Sequence, residues 1–124
     1  MVILKTKKTY QIRLLDFAVS VIKIADILPN TFAGRHVGGQ LIRAGTSSGS
    51  NYEEACGAES RSDFVHKMSV VLKELKEAQF WLRVIQRTGM LTAPRTEFVT
   101  DECKQLCAIV AKSIITAKNR KKRD

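Results

Sequence analysis

Between residues 61 and 88, Phe64, Met68, Val71, Leu75, Ala78, Leu82 and Ile85 recur at alternating steps of four and three. That is the a/d spacing of helix-on-helix packing, and a strand, whose side chains alternate with period two, cannot present it on one face. Start and stop signals frame the run. Ser60 or Ser62 is placed to cap it, Asp63 falls in the first turn, and Gly89 stands where a left-handed C-terminal residue is wanted. Asp63 and Lys67 add an i,i+4 ion pair. A helix with such a seam has to meet other helices.

Two further segments supply them. Over 10–28, Leu14, Leu15, Ala18, Val21, Ile22, Ala25 and Leu28 form an apolar stripe that ends at Pro29-Asn30. Ile12, Phe17, Val19, Ile24 and Ile27 fall outside it, so this helix is apolar on two faces and is expected to pack against its own domain and a further surface. Over 96–118, Val99, Cys103, Leu106, Val110, Ser113 and Ala117 step by four and three, widened by Cys107, Ala111 and Ile114. No β-alternating run, internal repeat or linker interrupts the 124 residues, a length that fits one domain.

The stretch RAGTSSGSNYEEA, residues 43–55, is less plain. Gly45-Thr46-Ser47-Ser48-Gly49 matches G-x-S-x-G, but a nucleophile elbow needs a buried strand before it and an α/β sheet around it. The polar Gln40-Leu41-Ile42-Arg43 is no such strand, and His36 and His66 are the only histidines. A phosphate-binding loop fails too, because no Gly-Lys-Ser/Thr follows. Read as a helix over 37–56, the segment has one small or apolar face (Gly38, Leu41, Gly45, Ser48, Tyr52, Ala55). Beside it runs a polar stripe of Arg43, Ser47, Asn51 and Glu54. Each helical glycine costs about 1 kcal/mol, so only close tertiary packing offsets them.

The run QLIRAGTSSGSNYEEACGAESRSDFVHKMSVVLKELKEAQFWLRVI closely resembles the small four-helix bundle proteins encoded within intervening sequences of bacterial 23S rRNA genes. The family pattern stands here as Ile42-Arg43, Thr46-Ser47-Ser48-Gly49-Ser50-Asn51, Glu54-Ala55 and Glu59-Ser60-Arg61-Ser62-Asp63-Phe64. The likeness covers about 17–91. It implies that the small-residue stretch is the second helix of the bundle and that the protein assembles as a homopentamer. A distant relative is the accessory protein of diversity-generating retroelements, which binds a reverse transcriptase and nucleic acid. No catalytic chemistry comes with the resemblance. The expected fold is therefore all-α, an antiparallel up-down-up-down four-helix bundle over 10–118 that self-associates. A basic arm, 1–9, precedes it. A basic tail, 119–124, follows and is expected to be disordered until bound.

Charge suggests a partner. Lys5, Lys7, Lys8, Lys118, Arg120, Lys121, Lys122 and Arg123, set against Asp124, carry +7 of the chain's +9, which leaves the body nearly neutral. In an up-down-up-down bundle both ends reach one pole, so these eight residues are the candidate contacts to RNA or another polyanion, made mainly through phosphates. The second reading is an adaptor that recruits a nucleic-acid enzyme. Arg43, Ser47, Asn51 and Glu54 are expected to form a structural polar network, with Arg43 paired to Glu53 or Glu54 from an adjacent helix or subunit. Cys103 and Cys107 share a helix face but have no second pair of ligands, so core thiols are expected and no metal or cofactor. The odd count of three cysteines, with neither an export signal nor an apolar run near the ~20 residues that span a bilayer, points to the cytoplasm and away from membranes.

Overall fold

A computed structural model of the chain describes residues 2–123, and the side chains of residues 9–120. Four helices follow one another, α1 (Val2–Asp26), α2 (Phe32–Cys56), α3 (Arg61–Thr88) and α4 (Ala93–Arg123), with no strand among the described residues. Each helix packs along the next and α4 returns to α1 more sparingly, while no backbone contact among the described residues crosses the diagonals. The result is a four-helix bundle with a single core.

α3 follows the pattern that foretold it. Met68, Val71, Leu75, Ala78, Leu82 and Ile85 are all buried. Ser60 caps its start by accepting from the Asp63 amide at 3.0 Å. Gly89 closes it at φ 72°, a conformation that glycine adopts without a Cβ penalty. α2 starts at Phe32 rather than at 37, because Thr31 is extended and its hydroxyl accepts from the Gly34 amide, which adds a turn. Gly38, Leu41, Gly45, Ser48, Tyr52 and Ala55, the face expected to be inside, are inside.

α1 differs. Leu14, Phe17, Val21, Ile24 and Leu28 face the core, whereas Leu15 and Ile22, placed on the inner stripe by the sequence pattern, are exposed. Two stripes with the same three-four spacing run along opposite sides of this helix, so periodicity alone does not choose between them. The partner helix chooses. A Cβ on Gly45 would lie 2.4 Å from Val21 Cγ2 and 3.2 Å from Val21 Cβ and Cγ1, and the backbone at Leu14 comes as close as 3.5 Å to a Cβ position on Gly49. The glycine face of α2 accepts the side of α1 that carries Val21, and the other side is left outward.

α4 is longer at both ends than its apolar pattern. Pro94 is tolerated in the first turn, where its missing N–H has no helical partner to lose. At the other end residues 119–123, expected to be disordered, lie within the helix. Lys and Arg are good helix formers, and their charge is favourable at a C-terminus. Likewise α1 begins at Val2, inside the segment read as an arm. Cys56, Cys103 and Cys107 are in no disulfide. No helix among the described residues is long and apolar enough to cross a membrane.

Replacing Gly45 with Ala should destabilise the protein by about 1–3 kcal/mol in urea unfolding, despite the better helix propensity of Ala, because β-branched Val21 cannot turn all three crowded atoms away. Gly39→Ala, at a site with nothing within 4 Å of the added Cβ, should stabilise it by about 0.5–1 kcal/mol.

Candidate nucleic-acid interface

Of the eight basic residues expected to meet a polyanion, Lys118 and Arg120 are exposed on the last turns of α4. Lys5, Lys7, Lys8, Lys121, Lys122 and Arg123 lie outside the residues whose side chains are described. The two helices that carry these residues are tied together further in. Arg13 of α1 donates from Nε to Glu102 Oε2 at 3.0 Å and from Nη2 to Oε1 at 2.6 Å, a bidentate pair, half-buried on the α1–α4 seam. The bond to Glu102 holds the Arg13 pKa above its ordinary value.

Within the single chain, the polar stripe of α2 turns toward α3. Arg43 reaches α3 instead of Glu53 or Glu54, donating from Nη1 to Glu74 at 3.0 Å and from Nη2 to Glu77. Asn51 donates to the Ser47 carbonyl at 2.8 Å, and Glu54 is exposed. Glu74 and Glu77 are one turn apart on α3, and a cation placed across from them removes their mutual repulsion. Only 12% of the Glu74 side chain is exposed, so it has the greater need of a partner. The arginine is long enough to cross to the neighbouring helix, and that helix presents two carboxylates.

This arrangement has an electrostatic consequence. α3 has three carboxylates: Asp63 pairs with Lys67 at 3.0 Å, and Glu74 and Glu77 pair with Arg43. The Lys67 hydrogen bond lowers the Asp63 pKa. Lys73, Lys76, Arg83 and Arg87 remain exposed on the outward side of α3, at steps of three, seven and four, with exposed Phe80 among them. Phe80, Arg83, Val84, Arg87 and Thr88 line an open cleft of about 280 Å³. Trp81 stands edge-on to Phe80, ring centres 5.0 Å apart, and edge-on to His36 of α2 at 5.7 Å. The signal of this basic stripe is present in the sequence, because the basic residues of 73–87 repeat at helical spacing as the apolar ones do.

The thiols on α4 lie against the same helix. Cys103 donates to the Leu75 carbonyl at 3.3 Å; contact with Cys107 and burial push its own pKa up. Cys107 is held below the usual thiol range by Cys103, with help from the Lys76 ammonium. At the other end of the core, burial, with Cys56 alongside, raises the Tyr52 phenol.

The model of the 23S rRNA-intervening sequence protein family matches residues 8–112. The chain belongs to that family. A solved structure of a protein of unknown function from the S23 ribosomal protein family of Bacteroides thetaiotaomicron is similar to it. The two are 31% identical, over 84% of this chain and 96% of that one, with a TM-score of 0.78. No curated protein matches the chain. Residues 113–123, including Lys118 and Arg120, lie beyond the family match, whereas all of α3 lies within it.

Arg43→Ala should cost about 1 kcal/mol in chemical unfolding, and should cost almost nothing when Glu74 and Glu77 are both already Gln. An equal cost in the two backgrounds would show that the arginine contributes through its stem and not its charge.

Proposed function

We propose that this 23S rRNA-intervening sequence family protein is a non-enzymatic RNA-binding protein. It works as a self-associated, antiparallel up-down-up-down bundle that holds phosphates at the end where its chain termini gather. The side-chain pairings support the helix directions. Along α1 and α2, Leu14 meets Gly49, Val21 meets Gly45 and Leu28 meets Gly38, in opposite order along the two helices. Gln86 bonds to Thr96 and Thr100 while Cys103 bonds to Leu75, the same reversal between α3 and α4.

The observation that carries the reading is the Arg13–Glu102 clasp. With α1 and α4 antiparallel across it, the start of α1 and the end of α4 extend to the same side, and 8 of the chain's 21 basic residues belong to those two segments. Exposed Lys118 and Arg120 mark the α4 half of that pole. Phosphates bound there release counterions, the main source of sequence-independent affinity. The family's link to 23S rRNA genes makes RNA the polyanion of choice.

Self-association rests on the outward side of α1, where Ile12, Leu15, Val19 and Ile22 are 38–58% exposed at three-four spacing. An apolar row of this kind, uncovered in the single chain, is a surface for another helix. A second copy of the chain is the natural occupant, and the family resemblance favours five copies. The row also suits the second reading, an adaptor for a nucleic-acid enzyme.

Sedimentation of the full chain should give an oligomer, and Leu15→Glu with Ile22→Glu should convert it to a monomer of unchanged helicity. A native monomer would favour the adaptor. Deleting residues 119–124 should weaken RNA binding and flatten its salt dependence, by about 0.7 in log–log slope for each single-strand phosphate that is no longer neutralised. Undiminished binding would remove the α4 end from the site.

A further inference from the structure

We infer that the outward side of α3 is a separate binding site for single-stranded RNA, in which Lys73, Lys76, Arg83 and Arg87 hold phosphates and Phe80 stacks a base. The inference rests on the preceding reading only for the identity of the polyanion. The surface is another one, within the family match and away from the chain ends.

The carboxylates of α3 are each engaged by a cation other than these four. Arg43 takes both carboxylates of the middle of α3, and Lys67 takes the third. Without Arg43, Glu77 would stand one turn from Lys73, and the stripe would be partly neutralised from within. With it, four positive charges stand exposed along 15 residues of helix, about 21 Å from first to last. The neighbouring surface of α4 carries both signs, with Lys104, Glu97 and Asp101 all exposed. Lys104 is exposed on α4 next to Cys103, whose thiol bonds to the middle of α3 at Leu75. The nearest exposed carboxylate on that stretch of α4, Asp101, accepts a bond from Gln105 at 2.9 Å.

Charge alone would suit any polyanion. Phe80 narrows the choice. It is 54% exposed in the centre of a cationic row, which is a costly place for an aromatic ring unless something covers it. Its edge-on contact with Trp81 leaves a ring face for a ligand, and the cleft beside it is walled by Val84, Arg83 and Arg87. An aromatic platform with arginines at its rim is how proteins hold unpaired bases without reading their identity. A duplex keeps its bases stacked and offers Phe80 nothing. An acidic peptide would use the cations and ignore the ring.

Trp81 is the only tryptophan and lies against Phe80, so its emission reports on this site and not on the chain ends. The full-length protein should be titrated with labelled oligouridine of about 12 nucleotides, with an RNA duplex of equal length and with polyglutamate, following anisotropy and Trp81 emission. The single strand should bind best and quench Trp81. Phe80→Leu, which keeps an apolar side chain without a π face, should weaken single-strand binding about 5- to 150-fold and leave duplex binding unchanged, while Phe80→Tyr should restore it. Changing Lys73, Lys76, Arg83 and Arg87 to Gln should lower the single-strand salt slope by about 3; these exposed changes should leave the helical circular dichroism intact. Normal single-strand binding by the α3 variants, with binding abolished on deletion of 119–124, would overturn this site and leave the terminal one standing. Failure of the unaltered protein to bind any RNA would overturn both. Preference for the duplex or for polyglutamate would overturn the assignment of a single strand.

Discussion

The contact between Val21 of α1 and the bare backbone at Gly45 of α2 decides how the rest of the bundle is arranged. A Cβ on Gly45 would come within 2.4 Å of the valine, so the two helices are closer there than any other residue on α2 would allow. The approach turns the Leu14–Phe17–Val21–Ile24–Leu28 side of α1 inward. Packing energy in the closely fitted pair offsets the poor helix propensity of a segment with five glycines between Gly34 and Gly49. The same choice leaves Ile12, Leu15, Val19 and Ile22 outside. One close contact therefore settles both what the core contains and what the surface offers.

A second constraint acts through charge. Arg43 is only partly sheltered, and an exposed ion pair adds little to stability. Its greater effect is on what remains unpaired. By taking Glu74 and Glu77 together it joins α2 to α3 and withdraws the two carboxylates that would otherwise temper the cations of α3. The polar residues between two helices thereby shape the potential on the outward face of α3.

The features legible in the sequence were those set by one helix at a time. The α3 seam, its Ser60 and Gly89 boundaries and the small face of α2 follow from spacing and capping chemistry alone, and all are found where spacing puts them. What spacing could not settle needed a neighbour. Leu15 and Ile22 looked as good a core as Phe17 and Ile24 until the glycines of α2 were set against one side. Arg43 was matched with the Glu53 or Glu54 of a neighbouring helix or subunit, whereas within the chain its partners are Glu74 and Glu77 of α3. The end of α4 looked too charged to fold, yet it continues a helix already nucleated by the core before it. Phe80 adjoins half-buried Trp81 along the chain, yet one helical step carries it to the outside.

The outward sides of α1 and α3 differ in kind, and their placement makes the difference useful. α1 lies along α2 and α4, and α3 along the same two helices, but the described residues of α1 and α3 make no backbone contact. They occupy opposite corners, so their outer faces look away from one another. Copies brought together through the α3 side would press Lys73, Lys76, Arg83 and Arg87 of one chain toward those of the next, and like charges taken out of water repel strongly. Copies brought together through the α1 side bury an apolar row and meet no such cost. Assembly on α1 would then leave every α3 stripe facing solvent, repeated once per copy. Several weak strand-binding faces held on one particle can engage a single RNA together, and the local concentration set by the first contact strengthens each of the others. A modest, sequence-tolerant site on α3 would in that case suffice for firm binding, provided the strand is long enough to pass from one copy to the next.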